Sequence, residues 1–385
     1  MAEALRAVRR KAYAFLNGPP LLNAKFRMRQ HLADAKVVLN DARQWPALLN
    51  PTYYKQYEKQ VVMGVLGFSV ASICSAKCIF CAYKDGIGPK GIMTFETFKK
   101  AADQYAEMGG DTISLSPTVG DPLVDPGLMK KIEYAVGLPS IKTVQFYTNG
   151  IGLHKQEMYK KLVHSGLNDI RISMAETDRD GYNKVYGVKA YDVLIRGIHE
   201  LLRYNHEQGE PLAIGINFRS SWAPEAIVRS PDFNTYIKPY LSDRVIYDFL
   251  GDYDNWGGVI SQKDLLGVMR MRREPRLKRM PCRRTFDLMV LYNGAVRICA
   301  CRIRDTEFDE LVVGNIHEQD LRSIFYGAAV ARIRESFPGD TLPPVCKGCS
   351  LYEPATPRWL ERRSAGERTF HELPYAEKSA GARPA

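Results

Sequence analysis

An α/β fold built on a parallel sheet, curved or closed into a barrel and followed by a small hairpin-containing unit, is what this sequence predicts, on three observations. Short β-rich apolar runs alternate with amphipathic helical patterns from residue 61 onward, six strands in all. Three cysteines crowd the loop after the first of these runs, on the face of such sheets where chemistry collects. Past about residue 281 two apolar runs flank Asn293-Gly294, a strong hairpin signal.

The chain has 385 residues, 45% of them hydrophobic, enough for a sizeable core in one large domain with a smaller one appended. Residues 1–60 read as a basic helical extension, interrupted at "NGPPLL" and "LLNPTYY", with no nameable motif. The barrel, 61–280, begins with "VVMGVLGFSV" and its helix "TFETFKKAADQYAEMG", then "DTISLSP" with "PGLMKKIEYAVG", then "IKTVQFYT" with "HKQEMYKKLVHSG". "NDIRISM" is followed by "YDVLIRGIHELLRYNHEQ", "PLAIGINFR" by a looser segment, and "RVIYDFLG" is the sixth strand. Residues 281–352 hold the hairpin "FDLMVLYNGAVRICAC", a helix over "EQDLRSIFYGAAVARIRESF" and the knuckle "PPVCKGCSLY". Residues 353–385 are charged and are expected to be a loose tail.

No apolar run reaches the roughly 18 residues of a spanning helix, and "MAEALRAVRRKAYAFLNGPP" lacks a signal peptide's apolar segment and cleavage site. A soluble, cytoplasmic protein with no membrane partner is expected. The net charge of +11 is uneven: residues 1–60 carry eleven Lys or Arg against four acids, and residues 261–284 nine against two. Such patches face nucleic acid, a phosphorylated substrate or an anionic cofactor, or are simply a solvated surface. Eight cysteines in a cytosolic chain of this size point to metal or redox chemistry before a disulfide framework.

Those cysteines fall into two sets. Cys74, Cys78 and Cys81 lie within "ICSAKCIFCAY". Structural zinc takes four ligands, usually from paired knuckles. Three close thiolates with no fourth suit an iron–sulfur cube that leaves one iron open for chemistry. The second set is Cys282, Cys299, Cys301 and the Cys346-Lys-Gly-Cys349 knuckle, with Gly294 turning the hairpin between the first two. Four thiolates from a hairpin and a knuckle can close a zinc ribbon or hold a complete cube, and taken alone this set points to zinc. Cys299 and Cys301 share a strand face, so either can be the ligand.

The Cys-x-x-x-Cys-x-aromatic-Cys pattern of Cys74, Cys78, Phe80 and Cys81 resembles the cluster motif of the radical S-adenosylmethionine superfamily. The resemblance implies a partial (β/α)6 TIM-like barrel. It also implies a site-differentiated [4Fe–4S] cluster whose open iron binds S-adenosylmethionine (SAM) and, once reduced by flavodoxin or ferredoxin, cleaves it to a hydrogen-abstracting 5′-deoxyadenosyl radical. "TVGDP" (118–122) sits where the family has Gly-Gly-Glu-Pro, which gives Gly120 and Asp121 a contact to the methionyl ammonium, with Val119 and Asp121 replacing the usual Gly and Glu. Asn149 in "YTNG" matches the family's Thr-Asn-Gly, and Ser173 stands where relatives place a ribose or carboxylate contact. Arg219, ending the fifth strand, suits the methionyl carboxylate because its fork matches that geometry. The second cysteine set resembles the auxiliary-cluster extension of the same superfamily. It lacks the later cysteines of the long SPASM form and is similar to the shortened twitch form, with one auxiliary [4Fe–4S] cluster on Cys282, Cys299 (or Cys301), Cys346 and Cys349. The resemblance covers about residues 61–352. If Cys299 is the ligand, Cys301 is either a packed thiol or a hydrogen donor of the kind the radical epimerases use.

The run 270–284 abuts the auxiliary set, where its cations would raise a cluster's potential or grip a phosphate. "DYDNWGG" (252–258) ends the sixth strand as a sugar- or peptide-stacking element or a structured loop around Trp256. The expected function is hydrogen abstraction from a small molecule, a sugar, cyclitol or nucleotide-linked metabolite, phosphorylated or not, leading to oxidation or epimerisation. The alternatives are peptide maturation by thioether formation or epimerisation and, from another class, a non-catalytic zinc protein that binds nucleic acid. That last reading leaves the three-cysteine loop without a fourth ligand, so nucleic acid is not the expected partner.

Overall fold

The computed structural model describes residues 19–366 except 87, 300–302, 304 and 340, with only the backbone of residues 19, 20, 46 and 48. Its six parallel strands fall where the apolar runs place them: β1 Leu66–Phe68, β2 Thr112–Ser114, β3 Thr143–Thr148, β4 Asp169–Met174, β5 Ala213–Phe218 and β6 Val245–Phe249. Each pairs with the next in parallel, as in Ile172 with Ile216 and Ile216 with Tyr247. Ile170, Ile172, Ile214 and Ile216 are buried, as strands covered on both faces require. β6 ends the sheet without meeting β1, so the barrel is partial.

The C-terminal hairpin does not stand apart from this sheet. β7 (Asp252–Tyr253) and β8 (Arg270–Met271) form a small parallel pair. β9 (Leu288–Val290) then runs parallel to β1, and β10 (Ala295–Ile298) and β11 (Val312–Asn315) follow antiparallel. The result is one nine-stranded sheet across the expected boundary at 280/281. An uncovered β1 would present a row of unpaired backbone groups, and the fully buried β9 satisfies them.

The helices form as expected where an apolar stripe recurs. In Tyr191–Glu207, Leu194, Ile198, Leu201 and Leu202 are buried on one face. Phe95–Glu107 starts at Thr94, whose side chain accepts the Thr97 N–H. The helix Arg179–Tyr186 is an addition: its eight residues are polar apart from Tyr182, Val185 and Tyr186, too short a stripe to read. The helix expected over 318–337 is split at Gly327 into Leu321–Phe325 and Ala328–Glu335.

Both flanks join the body. Among the described residues a helix spans Pro19–Ala42 and starts inside the expected break at "NGPPLL", where prolines in a first turn remove only N–H groups that have no intrahelical acceptor. It is fastened by Asn23 to Glu225 (2.9 Å), Asp34 to Arg270 (2.8 Å) and, just beyond its end, Gln44 to the Leu277 carbonyl (2.7 Å). The tail is not loose as far as it is described: Thr356 caps the helix Pro357–Ser364, Leu360 is buried, and Trp359 packs 5.4 Å from Phe286. Among the described residues no helix is long and apolar enough to cross a membrane.

Candidate functional site

Cys74, Cys78 and Cys81 lie on the loop that leaves β1 at the carboxyl end of the parallel strands. Backbone contacts from two sides set the path of this loop. Gly120, at φ +123°, passes so close that a Cβ there would stand 2.0 Å from the Ala71 carbonyl oxygen, and the Asp121 N–H donates to the Ile73 carbonyl (2.9 Å). On the other side, the Lys77 and Ile79 N–H groups donate to the Tyr186 and Val185 carbonyls, both at 3.0 Å. Gly187, at φ +63°, ends that helix where a Cβ would be 2.7 Å from the Lys77 oxygen. Polar groups then reach the thiols: Asn149 Nδ2 lies 3.5 Å from Cys74 Sγ, and the Tyr83 N–H donates to Cys81 Sγ at 3.5 Å.

Burial pushes the Cys74 thiol up to about 12, with Asp121 adding to the effect, and pushes Cys78 well above its ordinary value while Arg219 opposes. Such thiols ionise only when a metal centre replaces their protons. Beside Cys78, Tyr182 and Tyr186 stack with ring centroids 4.8 Å apart, fully buried, and neither hydroxyl finds a partner among the described residues. Thiols in threes with donors aimed at sulfur and buried hydroxyls in want of acceptors fit an anionic cluster at this place.

The structure brings three further expected residues together above this loop. Arg219 Nη1 donates to Ser173 Oγ (2.6 Å), and its guanidinium lies 5.7 Å from the centre of the Phe80 ring. Phe80 in turn packs on Tyr186 and Tyr253, centroids 5.7 and 5.3 Å away. Asp121 also has partners within the protein. Its buried carboxylate accepts the Leu123 N–H (2.9 Å), the Thr148 hydroxyl (2.9 Å) and the Asn149 N–H (2.7 Å). It therefore holds the turn after β3. The side chain, one methylene shorter than Glu, ties its own loop to the end of β3. Burial raises its pKa to about 6 in spite of these bonds.

In the second centre, Cys282, Cys299, Cys346 and Cys349 line one cavity of about 490 Å³, counted to its mouth, together with Phe337 and Tyr352. Four cysteines around one cavity are the donor set that a complete iron–sulfur cube or a zinc ion requires. Burial pushes Cys282 up to about 12 and raises Cys346 likewise. Cys301 lies outside the described residues. Arg284 lines the cavity, and Lys278 Nζ donates to the Cys346 (3.1 Å) and Lys347 carbonyls. Arg270, by contrast, is engaged with Asp34 and Asp252. This part of the basic run fastens the chain and is not an open phosphate grip.

The loop 252–258 links the two centres. Trp256 Nε1 donates to the Phe80 carbonyl (2.8 Å), while Asn255 Nδ2 donates to the Gly348 carbonyl (2.5 Å) and its Oδ1 accepts the Ser350 N–H (3.1 Å). Sequence reasoning missed Arg297, fully buried beside the second centre, and the tyrosine pair. An arginine inside an apolar strand run and tyrosines on a polar helix carry no signal of what they face.

Two family models match the chain: the radical SAM superfamily over residues 68–217 and an iron–sulfur cluster-binding domain, SPASM, over residues 282–350. Molybdenum cofactor biosynthesis protein 1 of Mus musculus is 23% identical over 246 residues, 62% of this chain and 36% of that protein. A GTP 3′,8-cyclase of Mannheimia succiniciproducens is 24% identical over 147 residues, 37% of this chain and 42% of that one. The chain thus spans 36% to 42% of the length of these curated relatives. A crystal structure of BtrN in complex with AdoMet and 2-DOIA is 17% identical, with a TM-score of 0.49, covering 74% of this chain and 92% of that one. With the three-cysteine loop inside the first matched region and the four-thiol cavity inside the second, the chain belongs to the radical S-adenosylmethionine superfamily and carries its SAM-binding [4Fe–4S] cluster and a SPASM-type auxiliary cluster.

Proposed function

We propose that this radical SAM enzyme abstracts hydrogen from a sugar, cyclitol or nucleotide-linked small molecule and oxidises or epimerises it. The observation that carries the reading is the four-thiol cavity: with Cys282, Cys299, Cys346 and Cys349 as a full ligand set, the auxiliary cluster has no iron open to substrate. When bound, the first cluster with SAM supplies a hydrogen-abstracting radical, and the second supplies a one-electron acceptor, which favours oxidation. The names of the GTP 3′,8-cyclase relatives lend support to a nucleotide-type substrate.

In this reading Cys74, Cys78 and Cys81 hold the first cluster. Arg219, steadied by Ser173 and Phe80, presents its fork to the methionyl carboxylate. Gly120 keeps the second-strand loop against the cysteine loop, and Asn149 fixes Cys74 and Ser75. Phe80, Tyr186 and Tyr253 form an apolar wall that keeps water from a reactive intermediate. Reduced flavodoxin or ferredoxin is the electron donor.

The test is anaerobic. The full chain, reconstituted with iron and sulfide and reduced, is given SAM and panels of sugars, cyclitols, nucleotides and short peptides, and 5′-deoxyadenosine is counted. About eight irons per chain are expected, falling to about four in a Cys74→Ala, Cys78→Ala, Cys81→Ala variant that makes no deoxyadenosine. A nucleotide or sugar should raise deoxyadenosine above the substrate-free level. Stimulation by peptides alone would overturn the small-molecule reading.

A further inference from the structure

Arg297 sits in the middle of β10, among the largest fully buried side chains of the protein. Its Nε and Nη2 form a two-pronged pair with Asp309 (3.0 and 2.7 Å), on the approach to β11. Its remaining nitrogen, Nη1, donates to the carbonyl oxygen of Cys299. That contact falls at a strained point, because Cys299 leaves the strand at φ +67°, a left-handed conformation rare for a residue with a Cβ. The guanidinium also bears electrostatically on Cys346. A buried ion pair costs desolvation that well-packed apolar residues would avoid, so it calls for a use beyond stability. The geometry of this pair supplies one: Asp309 holds the Nε and Nη2 edge of the guanidinium and leaves Nη1 for the Cys299 carbonyl.

We propose that Arg297, anchored by Asp309, is a positioning and tuning residue for the auxiliary cluster, which holds Cys299 in its left-handed conformation and raises the cluster's reduction potential. The redox change is one electron taken up by the oxidised cluster from a reductant, with no bond made and no proton moved. The extra negative charge of the reduced cluster is stabilised by a fixed cation in a water-poor setting, where charge interactions are strong. The proposal rests on the assignment of Cys282, Cys299, Cys346 and Cys349 to that cluster.

The test uses the full chain carrying Cys74→Ala, Cys78→Ala and Cys81→Ala, so that only the auxiliary cluster reports. Iron is counted, and the midpoint potential is read by dithionite titration followed by electron paramagnetic resonance. Arg297→Gln, which retains a donor for the Cys299 carbonyl, should lower the potential. Asp309→Asn, which leaves the guanidinium uncompensated, should raise it. In each case the oxidised-to-reduced ratio at a fixed potential should change at least tenfold, equivalent to about 59 mV for one electron. If Arg297→Gln fails to hold iron, Asp309→Asn decides alone. Iron-loaded variants with the parent's potential would overturn the proposal and leave Arg297 a structural residue. A parent without iron in this background would instead overturn the cluster assignment.

Discussion

Glu307, on the connection from β10 to β11, is buried against the loop leaving β1. Ser69 Oγ donates to one carboxylate oxygen at 3.3 Å, and the other oxygen has no partner among the described residues. Burial pushes its pKa from 4.5 to about 7. A carboxyl whose folded pKa is raised loses stability as pH climbs through the window between the two values, because the unfolded chain ionises first. Above pH 7 the full penalty applies, at most about 3 kcal/mol. Glu307→Gln should therefore raise the thermal midpoint of the cluster-free chain at pH 8 and leave it nearly unchanged at pH 4. A lower midpoint at pH 8 would mean that the carboxylate has a cationic partner in the folded protein. At this scale the sequence showed the cysteines, because their spacing is itself the chemistry. It showed neither Glu307 nor Arg297, whose roles depend on what three-dimensional packing places against them.

The elements that hold the Cys74 loop are short and irregular, and glycine is what lets them approach one another. Gly109 and Gly120 both have positive φ, but a Cβ at Gly109 would meet nothing within 4 Å while one at Gly120 would meet the Ala71 carbonyl at 2.0 Å. Gly109→Ala should cost about 1 kcal/mol from backbone conformation alone and leave iron content unchanged. Gly120→Ala should cost about 3 kcal/mol or more and lose iron from the Cys74 centre, because one of the two backbones must move. Equal iron in the two variants, counted after reconstitution, would show that the 118–122 loop does not position the cysteines. The six strands were legible because each is an apolar run of the right length. The helix Arg179–Tyr186, on which the same loop leans, was not: only three of its eight residues are buried.

At the scale of the molecule, the described residues build one nine-stranded sheet, with the small β7–β8 pair beside it and the described flanks packed onto it. β9 satisfies the free edge of β1, Gln44 ties the N-terminal segment to Leu277 and Tyr352, and Arg363 Nη2 reaches back to the Val62 carbonyl (3.0 Å). A chain cut to residues 1–280 would expose the β1 edge and the apolar faces that the hairpin covers, a recipe for association between molecules. That fragment should be largely insoluble, or unfold well below the full chain, when the two are compared by sedimentation and thermal melting. A soluble fragment as stable as the full chain would show that the sheet ends at β1 in energy as well as in sequence pattern.

The sequence by itself determined the alternation that builds the parallel sheet, the Asn-Gly hairpin and the two cysteine sets, because each is written in local periodicity or spacing. Only the tertiary structure decided that the hairpin continues the barrel sheet, that Asp121 braces a turn, and that residues 353–366 fold onto the body. It alone aimed a buried arginine at Cys299. These outcomes turn on which unpaired edge, buried charge or open carbonyl finds its counterpart once the chain is packed, whether two residues away, as for Arg297 and Cys299, or in a distant strand, as for β1 and β9. No local pattern encodes that pairing, since the free energy that selects it belongs to the assembled core.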